Sequence, residues 1–180
     1  MTGSVEKVYS DALFELSLEQ NCAEEIYEEL NALAKIFMDN PDFAKMLNAP
    51  TVNSNEKSAV IENVFSGKTS ELTYNLLRVL TEKRRITFLP AIAQSFKERW
   101  YDMKNIVEVK VTTSVPLNET LKAKLKTKLE DVYKKSVILE EAVDESIIGG
   151  IVINYGNTML DGTVKSKLES MQKTIKNFIA

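Results

Sequence analysis

The chain has 180 residues, 44% hydrophobic and 27% charged, and a net charge of −3, the profile of a soluble globular protein with length for one large or two small domains. It has no histidine and a single cysteine, Cys22, which removes the commonest general base and metal ligand and leaves no internal disulfide or thiolate metal cluster. No basic-then-apolar leader opens the chain and no apolar run approaches the roughly 20 residues of a membrane span, so a soluble intracellular protein with no direct membrane insertion is expected.

Helical periodicity holds from the start to about residue 105. Val5, Val8, Tyr9, Ala12, Leu13 and Leu16 recur at three- and four-residue spacing and define a first helix. A second, from about Ala23 to Met38, carries Ile26, Leu30, Leu33 and Phe37 on one side, with Glu24 and Glu25 at the positive end of its dipole. Asn40-Pro41 reads as a cap and first-turn proline for a short helix with Phe43, Met46 and Leu47, and Pro50 falls in the next break. Asn53 with Glu56 has the form of a capping box ahead of Val60, Ile61, Val64 and Phe65, and Gly67 ends that fourth helix. A fifth spans about Ser70 to Lys83 with Leu72, Leu76, Leu77, Val79 and Leu80. A sixth starts near Thr87, tolerates Pro90 in its first turn, and carries Leu89, Ile92, Phe96 and Trp100.

The period changes at Asn105. Ile106, Val107, Val109, Val111 and Val115 alternate with polar residues as a strand does, and Pro116 ends it. Asn118 can cap a helix with Leu121, Leu125, Leu129 and Val132 on one side and four lysines (122, 124, 126 and 128) turned mostly to water. Two strands follow, Val137-Ile138-Leu139 and Ile151-Val152-Ile153. The pair Gly149-Gly150 stands before the second and suggests a bulge or a close backbone approach. Gly156 and Asp161-Gly162 read as turns, Asp161 or Thr163 can cap the last helix, and Val164, Leu168, Met171, Ile175 and Phe178 form its apolar side. The fold class is α+β: an all-α six-helix bundle over 1–105, then a small unit over 106–180 in the order strand, helix, strand, strand, helix.

Little in the chain is arranged for chemistry. The glycines of 149–156 lack both the GxxxxGK[ST] and the GxGxxG patterns of nucleotide loops, so no cofactor is expected. Glu140, Glu141, Asp144 and Glu145 lack the spacing of a calcium loop and read as a solvated turn. Lys83-Arg84-Arg85 lies at a helix corner where cations suit the C-terminal dipole. The lysine-rich helix offers an alternative function as a nucleic-acid-binding adaptor, but it lacks interleaved aromatics. The first and fifth helices are apolar over a wider arc than one neighbour requires. Core burial is the default for each such residue, and a groove for an amphipathic partner helix is the alternative.

One family matches these residues in order. Val137, Leu139, Val143-Asp144, Ile147, Gly149-Gly150-Ile151, Ile153-Asn154 and Gly156, followed by Asp161-Gly162-Thr163, resemble the C-terminal signature of the delta subunit of the F-type ATP synthase. That family includes the mitochondrial oligomycin-sensitivity-conferring protein. At the other end, Tyr9-Ser10-Asp11-Ala12-Leu13 is similar to the family's opening motif, with Ser10 where alanine is usual. Asn40-Pro41, Leu76 to Leu80, Arg85-Ile86 and Ser114 to Leu117 fall between them. The resemblance implies a non-catalytic stator subunit of the peripheral stalk, without cofactor or nucleic acid. It would sit at the cytoplasmic face of a bacterial plasma membrane or the stromal face of a thylakoid. It implies that the N-terminal helix of an alpha subunit docks on Tyr9, Ala12, Leu13, Leu76, Val79 and Leu80, with Ser10 facing away from Tyr9 and Leu13. The C-terminal unit would hold the C-terminal ends of b-type stalk subunits, with Asp144, Gly149, Gly150, Gly156, Asp161 and Gly162 as its structural signature.

Overall fold

A computed structural model of the chain describes residues 4–49, 52–156 and 158–179; for Ser54 and 173–179 the backbone alone is described. Pro50, and the side chains of Ile175 and Phe178, therefore lie outside the described residues. The described residues form eight α-helices and a four-stranded sheet, an α+β fold. The chain separates into two compact units, residues 1–103 and 104–180.

The first unit contains α1 (Val5–Glu19), α2 (Ala23–Asp39), α3 (Pro41–Asn48), α4 (Ser54–Phe65), α5 (Glu71–Glu82), a 3₁₀ turn at Ile86–Phe88 and α6 (Leu89–Met103). Its centre is the seam of α2 with α6. Ile26, Leu30, Leu33 and Phe37 meet Leu89, Ile92, Phe96 and Trp100, all buried, as their spacing predicts. Tyr27 stacks on Trp100 with ring centres 4.3 Å apart, and Phe14 of α1 meets Phe96 edge-on at 5.4 Å.

Four expectations change here. The buried side of α1 is Ser10, Leu13, Phe14 and Ser17, not the stripe led by Val5 and Val8. At about 100° per residue these four cover the arc next to the predicted one, because Phe14 follows the turn of the helix into α6. Ser10 therefore faces the core beside Leu13 rather than away from it. Asn40 does not cap α3: its Nδ2 donates to the Ile36 carbonyl at 2.9 Å and closes the end of α2. Asn53 caps α4 by accepting from the Asn55 N–H, two residues on, rather than as half of a box with Glu56.

The second unit runs β1 (Ile106–Thr113), α7 (Glu119–Tyr133), β2 (Ser136–Val143), β3 (Ile151–Tyr155), β4 (Thr158–Asp161) and α8 (Val164–Ile179). The sheet order is β2-β1-β3-β4, with β1 parallel to β2 and the other two pairs antiparallel. β1 is central, and Val107, Val109 and Val111 turn the same face inward, where they meet Val137 and Leu129.

β4 is absent from the predicted order. Thr158–Asp161 is four residues long and exposed throughout, an edge strand with no alternation to betray it; pairing with β3 alone makes it a strand. Val115 lies past the end of β1 and is exposed. On α7 the apolar side is rotated: Leu121 and Val132 are exposed, while Leu125, Leu129 and Tyr133 pack toward the sheet and Tyr133 meets Tyr155 at 4.5 Å. On α8, Val164, Leu168 and Met171 share a face as predicted, but all three are exposed.

Candidate functional site: an apolar helix face

The six residues expected to meet a partner helix do not share one environment. Ala12 and Val79 are exposed, Val79 at 39%. Tyr9 is half-buried, and its hydroxyl accepts a 3.4 Å hydrogen bond from Arg85 Nη1, which joins α1 to the residue that follows α5. Leu13, Leu76 and Leu80 are core residues, and Leu80 has no exposed surface. A side chain buried in this way shapes the floor beneath a surface more than the surface itself.

What the structure does present is a stripe on α1. Val8 is 59% exposed and Leu16 44%, and with exposed Ala12 between them they follow one line at four-residue steps. Leu13, one residue past Ala12, belongs to the adjoining buried side, so α1 is apolar on two neighbouring arcs and only one is used internally. On α5, Leu76, Leu77 and Leu80 point inward, and Val79 lies with half-buried Leu72 along the outer edge. Val8 and Leu16 were within the predicted first stripe but were not singled out as contact residues. The signal that separates them is the small pair Ser10 and Ser17, seven apart, both buried on the other side of α1 from Val8 and Leu16.

α5 is held by a device that no local pattern shows. The Glu29 carboxylate on α2 accepts from the Ser70 N–H at 2.6 Å and from its hydroxyl at 2.7 Å, and Ser70 Oγ in turn accepts from the Thr73 N–H. An acid from another helix thus reinforces the N-terminal cap of α5.

In the second unit the signature residues form a backbone junction. The Val164 N–H donates to the Gly149 carbonyl at 3.0 Å and the Gly162 N–H to that of Ile151 at 2.8 Å, tying the start of α8 to the start of β3. Gly150 has φ +103°, and a Cβ there would stand 2.5 Å from the Gly162 carbonyl oxygen, so this is the close backbone approach. Asp161 accepts from the Thr163 N–H at 2.9 Å and from the Ser166 hydroxyl, while Thr163 Oγ1 caps α8 by accepting from the Ser166 N–H at 3.2 Å. The Ser166 hydroxyl, then the Thr163 backbone, hold the Asp161 carboxyl below its usual pKa. Asp144 is lowered in the same way by Ser146, whose N–H it receives at 2.9 Å within the turn after β2. Gly156, at φ +51°, serves the turn after β3.

The lysine-rich side of α7 is partly neutralised: Lys122 lies 3.0 Å from Glu119 and 2.8 Å from Glu141, and these two carboxylates raise its pKa. Among the described residues no group of three or more histidine, cysteine, aspartate or glutamate side chains is placed to hold a metal, and no helix is long and apolar enough to cross a membrane.

The family described as ATP synthase delta (OSCP) subunit matches residues 5–175. The chain belongs to that family. Among delta subunits, that of Clostridioides difficile is 34% identical over 173 residues, covering 96% of each chain. That of Halalkalibacterium halodurans is 33% identical over 168 residues, covering 93% of this chain and 92% of its own. Among solved structures, a chain of the Toxoplasma gondii mitochondrial ATP synthase hexamer superimposes with a TM-score of 0.74 at 23% identity. The match covers 96% of this chain and 97% of that one, and shows a shared fold. As a delta (OSCP) family member, the chain is a subunit of an ATP synthase.

Proposed function

We propose that this delta-family chain is a non-catalytic stator subunit of the peripheral stalk. It joins the alpha subunit of the catalytic head to the b-type stalk so that the head does not turn with the rotor. In this reading the helical unit, 1–105, carries the N-terminal helix of an alpha subunit, and 106–180 receives the C-terminal ends of the stalk helices. The site is the cytoplasmic face of a bacterial plasma membrane or the stromal face of a thylakoid.

The observation that carries the reading is the unused apolar arc of α1. Val8, Ala12 and Leu16, with Val79 on α5, give an amphipathic helix a row of contacts at its own repeat. A stator must stay bound under torque, so nanomolar affinity, about 12 kcal/mol, is the appropriate scale. Apolar burial at roughly 25 cal/mol per Å² supplies such an energy only after the ordering of the partner is offset. The exposed stripe of Val164, Leu168 and Met171 on α8 supports the second binding end.

The test is calorimetric titration of the full chain with a synthetic N-terminal segment of the same organism's alpha subunit. Ala12→Asp or Val79→Asp is expected to weaken binding at least about tenfold, since each places an unpaired charge under the bound helix. Unchanged affinity in both variants would remove this face as the docking site.

A further inference from the structure

We propose that α8 is a membrane-surface helix: its apolar stripe and flanking lysines hold the free chain to the face of an anionic lipid bilayer, lying in the interface without crossing it. The inference goes beyond the stator reading and concerns the chain before assembly, when no stalk end occupies that stripe.

The start of α8 is anchored and the stretch beyond it stands clear. Thr163 caps the helix, and the Val164 N–H donates to the Gly149 carbonyl. From Lys167 to Gln172 every residue is exposed. Val164 is 45% exposed, and Leu168 and Met171 are each 61% exposed. A helix of 16 residues draws most of its stability from packing an apolar side. Over Lys167 to Gln172 the unit supplies no such packing, so the covering surface comes from outside it.

The stripe has the shape and charge of an interfacial helix. At about 100° per residue, Val164, Leu168 and Met171 fall within an arc of about 60°. Ile175 and Phe178 continue the same four-three spacing in the sequence. Lys167 stands about 40° beyond one edge of that arc and Lys165 about 60° beyond the other, both exposed. Lysine stems at such positions lie along apolar surface while the ammonium reaches the headgroups. Over Val164–Ile179 there are four lysines against one glutamate, a net charge of +3. That glutamate, Glu169, lies about 130° from the middle of the stripe. The whole chain carries −3. Charges are screened over roughly 8 Å at physiological salt, so the local excess on α8 governs its approach to a surface.

A second copy of α8 shares the four-three spacing, but Lys165 and Lys167 would then line the edges of the pair with like charge. An acidic helix of another subunit matches the charge; it is the stalk contact already proposed, and it competes for the same stripe on assembly. For the free chain an anionic bilayer meets both demands, since it buries the stripe and each lysine beside it adds about fivefold in affinity.

The experiment cosediments the full-length chain with vesicles of phosphatidylcholine alone and of phosphatidylcholine with about one-third phosphatidylglycerol, circular dichroism confirming each variant's fold. Binding to the anionic vesicles is expected to be at least about tenfold tighter than to the neutral ones, and to weaken as salt rises. Leu168→Asp should reduce it about tenfold or more by setting a charge into the apolar stripe. Lys165→Glu/Lys167→Glu should abolish the preference for anionic lipid. Lys124→Glu/Lys128→Glu, an equal change of charge at exposed sites on α7, should leave it nearly intact. Equal losses in the two double variants, undiminished affinity in Leu168→Asp, or no binding to either vesicle overturns the inference. If a synthetic C-terminal segment of the same organism's b-type subunit binds the stripe while vesicles do not, the inference falls and the stator reading stands.

Discussion

A methyl group at position 150 has nowhere to go. It would meet the Gly162 carbonyl oxygen at 2.5 Å and Thr163 Cα at 2.7 Å, both backbone, on a residue whose φ is +103°. Gly150→Ala is therefore expected to destabilise the second unit by about 2 kcal/mol or more, measured by denaturant unfolding. Gly156→Ala, in open space at φ +51°, should cost only about 1 kcal/mol. Ser10 poses the reverse case: its buried hydroxyl has no hydrogen-bond partner among the described residues. Ser10→Ala removes that unsatisfied group and improves helix propensity, so a gain of about 1 kcal/mol is expected. For Asp161 the sign follows from its lowered pKa. Its carboxylate stabilises the fold above the ordinary value of about 3.9, and that stability is lost as pH falls through the lower folded value. Asp161→Asn should melt below wild type at pH 7, with the gap closing in acid; a gap independent of pH would refute the role.

Among the elements, α5 depends most on a neighbour. Its cap is shared with Glu29 from α2, 41 residues away in sequence. Glu29→Ala should cost about 1.5 kcal/mol and raise amide exchange in the first turn of α5, because a charge-assisted pair of bonds to a helix start is lost. α1 and α7 carry the general lesson about reading elements. Both existed where their periodicity put them, yet both bury a side rotated from the expected one. A helix with apolar residues over a wide arc does not say which part faces inward. Phe14 decided it for α1 by reaching Phe96, and Tyr133 for α7 by reaching Tyr155. β4 shows the converse, an element with no pattern of its own.

At the scale of the molecule, the two compact units should respond separately to core damage. Leu77→Ala, at a fully buried site in the helical unit, is expected to cost about 3 kcal/mol and to speed amide exchange there, with β1 amides unaffected. The sequence by itself determined the α+β class, the six helices before the first strand and the family. Each rests on strong local periodicity, on residue types such as Pro41 and Gly150 with few alternatives, or on a long ordered motif. Only the tertiary structure decided which apolar residues are left over. Leu80 and Val79 are neighbours of nearly equal hydrophobicity, and one is core while the other is surface. Burial is a property of what stands opposite a side chain, and that is fixed by helices distant in the chain.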